Sequence, residues 1–209
     1  MGEHQEVDVD RIWAAIDPIE GWFYRAEADV MVDLVTYVVK SLPGASSIVE
    51  IGSYHGRSTA LIASVLDALG DGRRVVAIDP HEGRISESGR PDGRRPPTWE
   101  SFHQNLRRLG LLDTVDVRRA RAVDVKWDEP VGFVFVDGLH DAAGVRGDFE
   151  HFAPWLVPGA IVAFHDYSPN FPGVIDVVDD VLSGPDFEKV GHAGDLVGVR
   201  RVHAGRRAA

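Results

Sequence analysis

The sequence predicts an α/β fold in which a mostly parallel sheet is covered by helices on both faces. Short apolar runs alternate with segments of helical periodicity from residue 47 to residue 183, and this alternation is typical of βαβ units. Two further short apolar runs follow with no helix between them, and they predict an antiparallel hairpin at the end of the sheet. The 209 residues contain no linker-like stretch, so we expect one domain.

Two helices are predicted before the first strand. The first begins near Asp8 or Asp10, either of which can cap it, and ends before Pro18. The second covers about 25–41, where apolar residues recur on one broad face until a Pro-Gly pair ends the pattern. We therefore assign residues 1–45 to N-terminal helices.

The alternating region and the terminal hairpin together give a seven-stranded sheet. The predicted strands of the alternating region are 47–52, 74–79, 114–118, 132–137 and 159–164. The predicted helices are 57–69, 97–109, 142–153 and 173–183. The hairpin strands are 187–190 and 196–199.

Residues 81–97 interrupt this alternation. They combine three glycines, three prolines and four arginines without apolar periodicity, so we expect a loop with little regular structure. One interpretation is a solvated surface loop. The other is a mobile lid over the cofactor, whose arginines meet an anionic or hydroxyl-rich substrate. The tail at 203–209 is expected to fray.

The most informative stretch is IVEIGSYHGRST at 48–59, an apolar run followed by an acid, two glycines and a Ser-Thr pair. It predicts a strand, a tight turn and a helix whose free N–H groups can face a ligand. The next strand ends in Asp79, about twenty residues beyond the turn, and an acid there can accept both hydroxyls of a ribose. The two features together indicate a cofactor that contains a nucleoside.

The spacing of the glycines distinguishes between cofactors. The dinucleotide fingerprint is Gly-x-Gly-x-x-Gly, whereas this chain has Glu-x-Gly-x-x-x-Gly-x-Ser from Glu50 to Ser58. A carboxylate at Glu50 would repel a phosphate and suits an amine-bearing ligand. The motif resembles the first motif of class I S-adenosylmethionine-dependent methyltransferases, whose ligand carries an amino group and a sulfonium. An ordinary turn without a ligand is the alternative for the motif taken alone.

This resemblance implies a Rossmann-like class I methyltransferase fold with its core at 46–202. It also implies that the turn glycines line the methionine part of the cofactor and that the acid after the second strand holds the ribose. A small residue after the third strand would leave room for the adenine. The candidate cofactor-binding residues are Glu50, Gly52, Ser53, Gly56, Ser58, Asp79, Pro80, His81, Ala122 and Asp137.

A second group of polar side chains follows the fourth and fifth predicted strands. Asp137 and His140 follow one strand, and His165 and Asp166 follow the other. The carboxyl ends of adjacent parallel strands meet at one edge of the sheet, where unpaired acids would repel each other. A hard cation such as Mg²⁺ would relieve that repulsion, and a neutral imidazole suits a general base. Helix caps and pairs with arginines are the alternative for these residues.

The Asp-Gly-Leu-His motif and the segment that ends in His-Asp-Tyr resemble the small, metal-dependent sugar O-methyltransferases of class I. The likeness extends over roughly 20–200. It implies Mg²⁺ as a second cofactor, with Asp137 and Asp166 as ligands and His140 as the general base. His165 stands where many relatives have an acid, and it is the candidate for the third ligand.

The acceptor is expected to be a small molecule or an oligosaccharide, and Glu27 is a candidate contributor to its pocket. A narrower resemblance is to the mycobacterial mannoside O-methyltransferases of methylated-polysaccharide synthesis, with an antibiotic sugar or a phenolic catechol as the alternative. Two other classes of function compete. An NAD-dependent oxidoreductase would need the third glycine of its fingerprint, and a non-catalytic S-adenosylmethionine-binding protein would not need His140 beside Asp137.

Composition restricts the partners and the chemistry further. A formal net charge of −11 argues against a general nucleic-acid binder, which needs a basic face. The absence of cysteine excludes disulfides and thiolate metal sites. No apolar run has membrane-spanning length and the N-terminus is polar, so we expect a cytoplasmic protein without a membrane partner. A homodimer is one open arrangement.

Overall fold

The computed structural model describes residues 7–87 and 90–202. The α-helices in these ranges are α1 (Val9–Ile16), α2 (Arg25–Ser41), α3 (Arg57–Ala68), α4 (Trp99–Leu109), α5 (Ala142–Phe152) and α6 (Pro172–Ser183). The strands are β1 (Ser47–Ile51), β2 (Val75–Ile78), β3 (Arg84–Glu87), β4 (Arg90–Arg94), β5 (Val115–Arg118), β6 (Val131–Val136), β7 (Leu156–Phe164), β8 (Phe187–Ala193) and β9 (Leu196–Arg201). None of the helices in this part of the chain is long and apolar enough to cross a membrane.

Seven strands form one sheet in the order β5-β2-β1-β6-β7-β9-β8. The five strands from β5 to β7 are parallel, whereas β9 runs antiparallel to both β7 and β8. The predicted fold class, a mostly parallel seven-stranded sheet with an antiparallel C-terminal hairpin, is confirmed. The order reverses between β1 and β6, and ligands bind open α/β sheets in the crevice at such a point.

The core has two layers because the central strands are covered on both faces. In β6, Phe133 and Phe135 pack with the helices α1 to α4, whereas Val134 and Val136 pack with α5 and α6. All six residues of β6 are buried, as expected for a central parallel strand. This packing fixes the carboxyl ends of the strands, where the site lies.

The N-terminal region consists of two helices, as predicted. Of the two candidate caps, Asp8 is the one that caps α1, because its Oδ1 accepts a hydrogen bond of 2.9 Å from a backbone N–H of the first turn. Asp10 instead pairs with Arg25, at the start of α2, with 2.6 Å between Oδ1 and Nη2. Residues 1–6 and the predicted tail at 203–209 lie outside the described residues.

Part of 81–97 differs from the prediction. Strands β3 and β4 pair as an antiparallel ribbon, so the expectation of little regular structure was wrong there, and residues 88–89 lie outside the described chain. Backbone hydrogen bonds hold such a ribbon, and its sequence needs no apolar periodicity. Gly83, with a φ of 72°, is required at its base, because a Cβ there would lie 2.0 Å from the carbonyl oxygen of Arg95. The interpretation as a lid stays a prediction.

Candidate active site

A cavity of about 820 Å³ opens at the carboxyl ends of β1, β2, β6 and β7. It is large enough for a nucleoside cofactor together with part of an acceptor. The predicted site residues that line it are Gly52, Ser53, Asp79, Pro80, Ala122, Asp137, His140, His165 and Asp166. Four other predicted site residues do not line it, namely Glu50, Gly56, Ser58 and His81.

The turn after β1 requires glycine at position 52. Gly52 has a φ of +87°, and a Cβ there would lie 1.9 Å from the carbonyl oxygen of Asp137. The ends of β1 and β6 therefore meet through backbone alone. Ser53 follows, and its buried hydroxyl has no hydrogen-bond partner within the described chain. That hydroxyl is suited to a polar group of a bound ligand, since a buried unpaired hydroxyl is costly.

Asp79 is fixed by two backbone amides at the rim of this turn. Its Oδ2 accepts a hydrogen bond of 2.8 Å from the backbone N–H of Tyr54, and its Oδ1 accepts one of 2.6 Å from that of His81. Each carboxylate oxygen has a second lone pair available, and Asp79 lines the cavity. This placement fits the predicted contact with the ribose hydroxyls of the cofactor.

Replacement of Asp79 by alanine is expected to weaken binding of S-adenosylmethionine at least about tenfold, because the ribose loses a charged acceptor. Calorimetric titration measures the dissociation constant. The control is Asp116→Ala, since Asp116 pairs with Arg118 on β5, outside the cavity, and should leave binding unchanged. An unaltered dissociation constant in Asp79→Ala would remove Asp79 from the site.

Glu50 does not face the cavity, in contrast to the prediction. Its carboxylate is fully buried and accepts hydrogen bonds of 2.5 Å from the hydroxyls of Ser58 and Thr59. These two hydroxyls, in the first turn of α3, take the place of the amine-bearing ligand that the sequence suggested. Burial raises the pKa of Glu50 to about 7, although both hydroxyl donors lower it.

The ionisation of Glu50 predicts a pH-dependent stability. The pKa of Glu50 in the folded protein lies above the ordinary value of 4.5, so ionisation is less favourable in the folded state than in the unfolded state. The unfolding free energy is therefore highest below about pH 4.5 and falls as the pH rises through 7. The neutral variant Glu50→Gln is therefore expected to exceed the wild type in unfolding free energy by up to about 3 kcal/mol at pH 8. The advantage should shrink towards pH 5. Urea denaturation at both pH values measures it, and a difference independent of pH would contradict this account.

Gly56 and His81 face α4 rather than the cavity. Gly56 caps α3 with a φ of +90°, and a Cβ there would lie 3.0 Å from the ring of Phe102. The ring of His81 packs against the same Phe102 with centroids 4.8 Å apart, and its Nδ1 lies 2.9 Å from the hydroxyl of the residue that precedes α4. Gly56 and His81 therefore pack the turns after β1 and β2 against α4. Of the predicted neighbours of the adenine, Pro80 and Ala122 line the cavity.

Asp137, His140 and Asp166 form a cluster at the ends of β6 and β7. The Nε2 of His140 lies 3.1 Å from Oδ2 of Asp166 and 3.5 Å from Oδ1 of Asp137. One ligand atom from each residue lies within 4.8 Å of the other two. Asp166 has a φ of +58°, a conformation that is costly outside glycine and occurs where the surrounding structure enforces it. The predicted convergence of the two strand ends is therefore present.

His165 lies behind this cluster, between the two carboxylates and α2. Its Nε2 is 3.2 Å from Oε2 of Glu27, and its Nδ1 is 3.2 Å from Oδ2 of Asp166 and 3.4 Å from Oδ1 of Asp137. Burial alone would lower the pKa of His165, but the surrounding carboxylates outweigh it and raise the pKa well above the ordinary value. By geometry, the three residues that could hold a metal ion are Asp137, His140 and Asp166, whereas the sequence suggested His165 as the third ligand.

Glu27 supports His165 and does not line the cavity, in contrast to its predicted place in the acceptor pocket. It is 1% exposed. Its Oε1 accepts a hydrogen bond of 3.0 Å from the backbone N–H of Asp195, and its Oε2 accepts one of 2.7 Å from that of Tyr24. Glu27 therefore joins α2 to the turn between β8 and β9 behind the cluster.

Arg57 is a cavity residue that sequence reasoning missed. Its guanidinium donates to the carbonyl oxygens of Ile19 at 2.6 Å, Gly21 at 2.9 Å and Phe23 at 2.8 Å. It thereby fixes the segment between α1 and α2 against the start of α3. Carbonyl acceptors carry no side-chain signature, so nothing in the sequence could have identified this contact.

Asp148 is the second cavity residue that was missed. It lies on α5, is partly buried and lines the cavity. Burial raises its pKa to about 6, against the lowering effect of Arg121. A single acid within a helical pattern is typical of a solvent-exposed position. Only the packing of α5 beside the end of β6 shows that Asp148 faces the cavity.

These features match a known family. The model of a family described as a methyltransferase domain matches residues 49–167, more than half of the chain. The chain belongs to this methyltransferase family, and we assign its cavity to the methyl donor S-adenosylmethionine. The oxidoreductase alternative is therefore not retained.

Solved structures of methyltransferases share the fold. The O-methyltransferase NovP is 19% identical with a TM-score of 0.71, and the match covers 86% of this chain and 81% of that one. TomG from Streptomyces achromogenes, an O-methyltransferase of tomaymycin synthesis solved with its cofactor, is 17% identical with a TM-score of 0.59, over 95% and 91% of the two chains. CalS11, a TDP-rhamnose 3'-O-methyltransferase of calicheamicin biosynthesis, is 17% identical with a TM-score of 0.60, over 92% of each chain.

Proposed function

We propose that the protein transfers the methyl group of S-adenosylmethionine to a hydroxyl group of a sugar or oligosaccharide. His140 is the general base, and Asp137 and Asp166 hold Mg²⁺. The observation that carries the proposal is the position of His140, whose Nε2 lies 3.1 Å from Asp166 in the same cavity as Asp79. The proposed base, His140, and the proposed ribose-binding acid, Asp79, thus line the same cavity.

The reaction needs few groups from the protein. The acceptor oxygen attacks the methyl carbon, the carbon–sulfur bond breaks, and S-adenosylhomocysteine leaves as a neutral thioether. In this proposal the hydroxyl lies beside Asp137 and Asp166 and passes its proton to Nε2 of His140, which is buried in the wall of the cavity. The two carboxylates then stabilise the imidazolium. Holding both reactants in one cavity lowers the entropic part of the barrier.

The donor set fits a divalent cation. Two carboxylates and one imidazole lie within 4.8 Å of one another, and carboxylate oxygens are the ligands that Mg²⁺ prefers. Bound there, the ion would lower the pKa of the acceptor hydroxyl and orient two vicinal oxygens. Asp137 and Asp166 supply the charge in this proposal, and His140 stays available for the proton.

Chelation by EDTA is expected to abolish turnover, and added Mg²⁺ is expected to restore it. Asp137→Asn should reproduce the effect of chelation, because one carboxylate fewer leaves too weak a site for a hard cation. The matched control is Asp141→Asn. Asp141 caps α5 through the backbone N–H of Gly144 at 3.0 Å, and asparagine caps equally well. Full activity in EDTA, with no metal in the purified protein, would remove the ion from the proposal.

The rim of the cavity supports a sugar as the acceptor. Trp22 and Tyr24 line it and are 43% and 56% exposed, which is unusual for large aromatic side chains and offers flat apolar faces beside polar groups. The solved relative CalS11 is described as acting on TDP-rhamnose. The aromatic faces suit a sugar ring or a phenolic ring, and the relative's acceptor favours the sugar.

A screen with methyl-labelled S-adenosylmethionine tests the acceptor. Mannosides of the methylated-polysaccharide type, nucleotide-activated sugars, glycosylated antibiotics and catechols are incubated separately, and mass spectrometry detects the labelled methyl group. We expect product from at least one sugar class and none from catechols. Methylation of catechols alone would contradict a sugar acceptor and indicate a phenolic one.

A further inference from the structure

We propose that Asp148 accepts a hydrogen bond from the exocyclic amine of the cofactor's adenine and thereby selects adenine over hypoxanthine. The inference rests on the assignment of the cavity to S-adenosylmethionine. It is independent of the acceptor, of the metal and of the role of His140.

Asp148 lies where α5 borders the cavity. There α5 faces the segment 120–123, which follows β5 and lines the cavity together with Gly147 and Asp148. A Cβ at Gly147 would lie 3.7 Å from Cγ1 of Val123, an ordinary contact distance, so α5 and that segment border the same part of the cavity. Val123 is 39% exposed and Ala122 is small and buried, which makes the walls of this space apolar, as an aromatic base requires.

The carboxyl group of Asp148 is directed at the loop that follows β6. A Cβ at Gly138 would lie 2.8 Å from Oδ2 of Asp148, so the carboxyl lies directly against the backbone of that loop. The loop contributes Gly138 and Leu139 to the same part of the cavity. The carboxyl therefore lies at the edge of the apolar space rather than in solvent.

Asp148 differs from the other carboxylates of the site in its hydrogen bonding. Glu27, Glu50 and Asp79 each accept two or more hydrogen bonds from protein groups. Within the described chain, Asp148 accepts none, and its pKa is shifted only by burial and by the charges of Arg121 and Asp141. A partly buried carboxyl without a donor destabilises the protein, and an N–H group of a ligand would satisfy it.

The chemistry of the base identifies that N–H group. Asp79 holds the ribose on β2, and a base attached to this ribose extends towards 120–123, because β5 is the next strand beyond β2 in the sheet. Adenine presents an amine donor at its edge, whereas hypoxanthine presents a carbonyl oxygen there. The carbonyl would place an acceptor against an acceptor, so Asp148 would disfavour it.

The experiment compares S-adenosylhomocysteine with its hypoxanthine analogue S-inosylhomocysteine by calorimetric titration of the full chain. We expect the wild type to bind the adenine ligand at least about tenfold more tightly. In Asp148→Leu, which keeps the side-chain size and removes the acceptor, this preference should fall below about threefold. Asp141→Asn, at the start of α5 and outside the cavity lining, is the control and should retain the preference.

Three results would overturn the proposal. They are equal affinity of the wild type for both ligands, an undiminished preference in Asp148→Leu, and a preference lost as fully in Asp141→Asn as in Asp148→Leu. If Asp148→Leu fails to fold by thermal denaturation, Asp148→Ala replaces it with the same expectation. Failure of the wild type to bind either ligand would overturn the cofactor assignment itself, and that outcome is distinct from the other three.

Discussion

Replacement of His140 by alanine is expected to lower kcat by about 10²–10⁴-fold, the usual contribution of a general base. The affinity for S-adenosylhomocysteine should hardly change, because the imidazole contacts the carboxylates at the acceptor side of the cavity. Steady-state kinetics and calorimetry provide the measurements.

His151→Ala is the matched control for this prediction. His151 lies on α5, its Nε2 is 2.9 Å from the carbonyl oxygen of Val125, and it does not line the cavity. If His140→Ala keeps nearly full kcat, His140 is not the base. If excess Mg²⁺ restores its kcat, His140 acts as a metal ligand instead, a role that its place in the three-residue cluster permits geometrically.

Replacement of Gly52 by alanine is expected to lower the free energy of unfolding by about 3 kcal/mol or more and to abolish cofactor binding. The added Cβ would lie 1.9 Å from the backbone oxygen of Asp137, and the φ of +87° is unfavourable for any other residue. Relief of the clash would require β1 and β6 to separate at the floor of the cavity. Urea denaturation and calorimetry with S-adenosylhomocysteine measure the two losses.

Gly72→Ala provides the comparison for Gly52→Ala. A Cβ at Gly72 would meet no atom within 4 Å, so its stability should stay within about 0.5 kcal/mol of the wild type. Similar effects of the two substitutions would show that contact between the strand ends is not what requires glycine at position 52.

The sheet and the convergence of its strand ends could be predicted from the sequence because they depend on regular patterns. Apolar runs such as 131–136, buried along their whole length, indicate central parallel strands. The carboxyl ends of those strands then place Asp79, Asp137 and Asp166 at one edge. Predicted boundaries of the elements lie within about three residues of the observed ones.

The roles of individual side chains at that edge could not be predicted. Strand alternation does not reveal that Glu50 turns towards the hydroxyls of α3, since this depends on where the helix packs. The place of His165 behind the cluster depends on its contact with Glu27, which is 138 residues away along the chain. Contacts between distant segments of this kind leave no periodic signal.

Arg57 connects the turn after β1 with the aromatic rim of the cavity. It is the first residue of α3, directly after the turn that would hold the cofactor, and its guanidinium holds the carbonyl oxygens on either side of Trp22. A cofactor that tightens the turn would therefore also stiffen the aromatic rim, so that the acceptor meets a preorganised surface only after the methyl donor has entered. Acceptor specificity and the order of substrate binding would then be coupled, and a redesign of the rim would be expected to alter both.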